Sequence, residues 1–135
     1  MDFDLNTLAD TYLRHHQTRS DEDFWAWQEV DRIVRGGNLG PAWEITLLLL
    51  RKAQTDHALG YVAAGPLEDI VDGYGDAALD RLEEACDKDS RLQFALSGIW
   101  LLPDSPILQR WQGLMTKYGF RNGDRKPLSY HEDCW

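Results

Sequence analysis

Few residues in this chain are of types that do chemistry, and their spacing is the first constraint. His57 stands at the start of an apolar stretch, and Glu68 and Asp72 follow it. A histidine with two carboxylates could transfer protons or hold a metal ion. His15 and His16 are adjacent, so on a helix they point about 100° apart and do not converge on one metal. They read as solvated cations or cap partners at a helix C-terminus. His131, Glu132, Asp133 and Cys134 are ligand types but contiguous, which does not build a tetrahedral site. No phosphate-binding glycine loop, zinc-protease, paired-cysteine or nucleophile-elbow motif occurs. The residues therefore point to no catalytic group, no metal and no cofactor. An enzyme built on His57, Glu68 and Asp72 is the alternative.

Composition gives the next bound. A 135-residue chain that is 43% hydrophobic is long enough for one domain with a real core. Its net charge of −9 argues against nucleic acid and anionic membrane as partners and suits a basic protein. Six tryptophans are many for this length, and one or two at a recognition surface would account for the surplus. Two cysteines make no disulfide framework. Cys86 reads as a small buried hydrophobe and Cys134 as exposed. The N-terminus lacks the pattern of a signal peptide, and the longest apolar run, Leu47–Leu50, is too short for a membrane span. The expected address is the cytoplasm.

The elements that would position these residues all read as helices. Leu5, Leu8, Ala9, Tyr12 and Leu13 form one stripe over residues 4–17, with Asp4 as N-cap. Ser20 caps a second helix, with Asp23 in a near-capping-box and Phe24, Trp27, Val30 and Val34 as its buried stripe, so that Trp25 points away. Pro41 opens a third, apolar on all sides and so expected at the centre. A fourth starts near Asp56 and ends near Gly65, with Pro66 first in a short helix that restarts; one kinked helix is the alternative. Residues 76–87, a stretch capped by Asp89, and Ile107 to Tyr118 complete the set, with no run that reads as a strand. Periodicity ends at Gly119. The expected organisation is one helical domain over 1–118 and an irregular tail over 119–135, docked through Trp135.

Shifting the chain by 33 residues lays 40–67 on 73–100 with five identities, among them Leu49/Leu82, Asp56/Asp89 and Leu59/Leu92. Two helices per 33 residues resemble HEAT-type repeats. The expected fold is all-α: a short HEAT-like solenoid or an irregular bundle of about seven to eight helices.

Three segments carry a further resemblance: Asp23-Phe24-Trp25-Ala26, Tyr61 to Asp69 with its Gly-Pro-Leu-Glu-Asp core, and Ala95 to Trp100. Together they resemble a bacterial family of small proteins with no assigned activity, over roughly residues 8–102. That resemblance implies a cytoplasmic, all-helical domain and carries no catalytic role.

The functional expectation is a non-catalytic protein-binding domain, most concretely an immunity- or antitoxin-like inhibitor of a basic toxin, effector or nuclease. A scaffold, adaptor or homodimer is the alternative. The expected binding surface joins Glu68, Asp69, Asp72, Tyr74, Asp80, Glu83, Glu84 and Asp87, with Trp25 as exposed aromatic.

Overall fold

The computed structural model describes residues 4–120, and among these it is all-α with no strand. Eight α-helical segments run in order: α1 Leu5–Thr18, α2 Phe24–Val34, α3 Leu39–Lys52, α4 Asp56–Val62, α5 Glu68–Tyr74, α6 Asp76–Lys88, α7 Ser90–Leu96 and α8 Leu108–Lys117. A 3-10 turn over Asp21–Asp23 leads into α2, and a π-helical turn over Ala63–Leu67 joins α4 to α5. Cys134, Trp135, His131 and the docked tail lie outside the described residues.

The caps follow the chemistry of their residues. Asp4 accepts the Thr7 N–H at 2.6 Å, and Asp89 accepts the Arg91 N–H at 3.0 Å. One start differs from expectation: Asn38, accepting from Gly40 N–H at 3.2 Å, caps α3, which begins at Leu39, before Pro41. α4 begins at Asp56 as expected, with Thr55 as its cap, accepting from Ala58 N–H at 3.0 Å.

The expected centre is correct. α3 contacts α1, α2, α4, α5 and α6. Its Ile45, Leu49 and Leu50 are fully buried, together with Leu8, Leu59, Leu67, Ile70, Leu79, Leu82, Leu92 and Leu96 from the helices around it. Side chains like these each contribute roughly 1.5–3 kcal/mol on burial, which holds the layers together. Cys86 is buried as expected, and burial pushes its thiol up to about 12.

Residues 56–74 do not break at Gly65. The chain stays helical through a π turn, in which Glu68 N–H reaches back five residues to the Ala63 carbonyl. The wider turn absorbs the missing N–H of Pro66 and relieves its clash with the Val62 carbonyl, so the kinked continuous helix is the correct alternative. The end of α7 seats against this turn. A Cβ built on Gly98 would lie 2.8 Å from the Ala63 Cβ, so only glycine permits that approach. At Gly75 the chain turns from α5 into α6 with φ +61 and ψ −128, a conformation that costs other residues strain.

The sequence pairs of the 33-residue shift share burial at some positions and differ at others. Leu49 and Leu82 are both fully buried, as are Leu59 and Leu92. Asp89, however, is a cap, whereas its counterpart Asp56 lies inside α4, and Gly65 sits in the π turn whereas Gly98 follows α7.

The expected face of α2 is turned. Ala26, Val30 and Val34 are buried, Trp25 packs half-buried against the core, and Phe24 and Trp27 are 41% and 38% exposed. The 3-10 turn causes the rotation. It buries Asp23, whose carboxylate takes both ends of the Arg14 guanidinium at 2.8 Å, and so fixes α2 about one residue away from the expected register.

Candidate functional site

The π turn forms one wall of a cavity of about 170 Å³ between α1, α2 and α5. Tyr12 comes from α1, and Trp27, Val30, Asp31, Val34 and Arg35 from the α2 face and its C-cap. Gly65 and Pro66 come from the π turn, and Asp69 from the first turn of α5. π turns recur at functional sites because the extra residue re-aims the backbone. Trp27 also stacks on Phe24, with ring centroids 5.5 Å apart and planes 8° apart.

At the polar end, Arg35 Nε donates to Asp31 at 2.8 Å, and another Arg35 nitrogen reaches Asp69 at 3.4 Å. The Arg35 side chain is 63% exposed, against 33% for Asp31 and 34% for Asp69. Burial pushes the Asp69 carboxyl above its usual range, and Arg35 opposes this only in part.

Behind the cavity lies a cluster of rings. Tyr12 meets Tyr61 at 5.7 Å between centroids, and His16 stacks on Tyr61 at 4.0 Å. His16 Nε2 and His57 Nδ1 are 3.0 Å apart. The two histidines thus lock the end of α1 to the start of α4. His15 and His16 are therefore not solvated: both are buried, His15 against the Phe24 ring. His16 Nδ1 is buried without a hydrogen-bond partner, so a proton placed there would have no acceptor. Burial lowers the His16 imidazole below its usual range, helped by His57, Arg19 and His15. Burial and Tyr61 likewise push the Tyr12 phenol far up.

The constellation of His57, Glu68 and Asp72 does not assemble. His57 turns to His16. Glu68 is eleven residues further along a continuous helix, roughly 16 Å at 1.5 Å per residue. Glu68 accepts the backbone N–H of Trp100 instead and ties the loop after α7 to α5. Burial still raises its carboxyl. Among the described residues, no group of three histidine, cysteine or carboxylate side chains could hold a metal.

The expected acidic surface is largely engaged within the molecule. Arg110 of α8 binds Asp76 at 3.0 Å and also Asp80, and lies 3.7 Å from Glu83. Lys117 binds Glu83 at 2.7 Å and Asp87 at 3.1 Å. Tyr118 adds a hydroxyl donated to Asp87 at 2.7 Å. These contacts make the acid row of α6 a seam against α8. Glu84 pairs with Lys88 at 3.1 Å on its own helix, and Tyr74 donates to the Val34 carbonyl at 3.3 Å. Asp72 is exposed, Asp69 belongs to the cavity, and Trp25 is not an exposed aromatic.

Sequence reasoning missed Arg35, the Phe24–Trp27 pair and the histidine lock. The seam did leave a signal. Asp76, Asp80, Glu83 and Asp87 fall on one helical stripe, and Arg110 and Lys117, seven apart, fall on another.

No helix among the described residues is long and apolar enough to cross a membrane. No curated protein and no solved structure matches the chain. A family model does match, over residues 14–117, which takes in α8 and reaches beyond the segment suggested by resemblance. With this span running from the Arg14–Asp23 pair through the π turn to the α6–α8 seam, the chain belongs to the family of unknown function DUF6869.

Proposed function

We propose that this chain is a non-catalytic protein-binding domain that holds a basic partner, most concretely an immunity- or antitoxin-like inhibitor of a toxin or effector. The observation that carries the reading is the exposed, offset-stacked Phe24–Trp27 pair, whose Trp27 lines a cavity that ends in two carboxylates. Stacked aromatics left open to water cost free energy in the isolated protein and gain it back when covered, and tryptophan leads the residues that dominate binding energy. The net charge of −9 selects and steers a cationic partner. The binding face moves accordingly, from the α6 row to α2 and the start of α5.

Capture from the native host tests this. Wild type should retain one basic protein, and the double variant Phe24→Ser, Trp27→Ser should lose it while keeping its helical content. Equal retention by both forms overturns the reading.

A second reading, a scaffold or homodimer on a HEAT-like stack, is favoured by another patch. Trp100 and Leu102 are 67% and 73% exposed in the loop before α8. Concentration-dependent dimerisation that is lost in Trp100→Ser, Leu102→Ser would establish it.

A further inference from the structure

We propose that the cavity between α1, α2 and the π turn receives a single arginine side chain of the partner, whose guanidinium takes the place of Arg35 on Asp31 and Asp69. This rests on the protein-binding reading and adds the chemistry of the contact.

The size of the cavity sets the first limit. At about 170 Å³ it admits one long side chain, not a helix or a strand. Its walls suit an aliphatic stem: Trp27, Val30, Val34 and Pro66 line it on two sides. Its end suits a planar cation. Asp31 and Asp69 approach from different helices, and about a third of each side chain is open to solvent. A carboxylate can take two parallel N–H bonds from a guanidinium. Arg35 gives Asp31 one short bond and leaves Asp69 with a contact of 3.4 Å. Two carboxylates against one cation also leave the site one positive charge short.

Arg35 is a weak occupant. It lies at the C-cap of α2, more than half exposed, and among the described residues these two carboxylates are what its head group binds. A guanidinium that enters through the cavity, which Trp27 also lines, reaches the same two carboxylates from the side opposite the exposed Arg35 stem. Lysine fits less well. Its ammonium is a compact, strongly hydrated point charge that cannot bridge two splayed carboxylates at once.

The test uses the full chain and three small probes: N-acetyl-arginine amide, N-acetyl-lysine amide and N-acetyl-citrulline amide, the last a neutral isostere. Binding is read by NMR from the Trp27 indole N–H, assigned by its loss in Trp27→Phe, and from the amides of Gly65 and Asp69. The arginine amide should shift these signals at millimolar concentration, the lysine amide several-fold more weakly and the citrulline amide not at all. Asp69→Asn should weaken arginine binding about tenfold, the worth of one charge-assisted contact of about 1.4 kcal/mol. Asp31→Asn serves as the second variant should Asp69→Asn lose its fold. Arg35→Gln should tighten binding about threefold or more, because it removes the internal competitor. Citrulline amide binding as well as arginine amide, or Arg35→Gln leaving affinity unchanged or weaker, overturns the proposal. The two readings fail separately. A Phe24- and Trp27-dependent partner that arginine amide cannot displace sinks the arginine insertion and leaves protein binding standing. Arginine amide bound as described, with no partner dependent on Phe24 and Trp27, supports the arginine site and sinks the inhibitor reading.

Discussion

Asp69 and Asp87 are both helical aspartates with a basic side chain nearby, yet the protein uses them differently. Asp87 takes the Tyr118 hydroxyl and the Lys117 ammonium, and these contacts hold its carboxyl below the usual range. Asp69 is half-buried beside a cavity, Arg35 reaches it only at 3.4 Å, and burial pushes its carboxyl above that range. The α6–α8 seam is an electrostatic closure inside the molecule, whereas the α1–α2–α5 cavity keeps a charge whose partner is loosely held. Net charge read from composition counts both alike. In the seam two basic side chains of α8 answer the acids of α6, whereas at the cavity one arginine answers two carboxylates.

The largest break in this comparison comes from Tyr12. Its ring is 3% exposed and lies at the floor of the cavity. Tyr12→Ala should cost roughly 3–5 kcal/mol of stability, measured by urea unfolding, and should enlarge the cavity and remove its fit to one side chain. Trp27→Ala sharpens the contrast, because Trp27 is 38% exposed. It should cost about 2 kcal/mol in partner affinity by calorimetry and less in stability than Tyr12→Ala, because more of the ring is already in water.

Acidification probes the rings behind the cavity. His16 is held neutral in the folded protein because its imidazole is lowered below the 6.5 of the unfolded chain. The unfolded state then binds the additional proton as pH falls through 6.5, so this contribution is complete above 6.5 and is lost below it. Urea midpoints should fall between pH 7.5 and 5.5 in wild type and fall less in His16→Phe. Equal slopes would contradict the lock. Glu68 and Asp69, both raised, act with the opposite sign at lower pH, which is why the difference between the two proteins is the quantity to read.

The seam gives the smallest effect. Arg110→Met removes the cation shared by Asp76, Asp80 and Glu83, yet these are largely solvated pairs. The loss should be about 0–1 kcal/mol, and should shrink in 1 M salt. Binding to a partner should not weaken.

The core was legible in the sequence because burial writes itself in periods of three and four residues. The stripes of α1, α6 and α7 were readable, and so was the central place of α3. The rotation of α2 was not, since Phe24, Trp27, Val30 and Val34 make as good a stripe as Ala26, Val30 and Val34. What decides between them is the tertiary pair of Arg14 with Asp23. Pro66 read as a break because local rules end a helix there. The π turn that bridges it depends on packing around Ala63 and Gly98. The site lay beyond reach for the same reason, as Tyr12, Trp27, Arg35 and Asp69 meet only through three separate elements.

The most direct test of the claim that the two regions hold their charge differently is a carboxyl carbon NMR titration of the intact protein. The account predicts that Asp69 titrates above the ordinary aspartate range and Asp87 below it. Coincident titration of the two, or Asp69 as the lower, would contradict it.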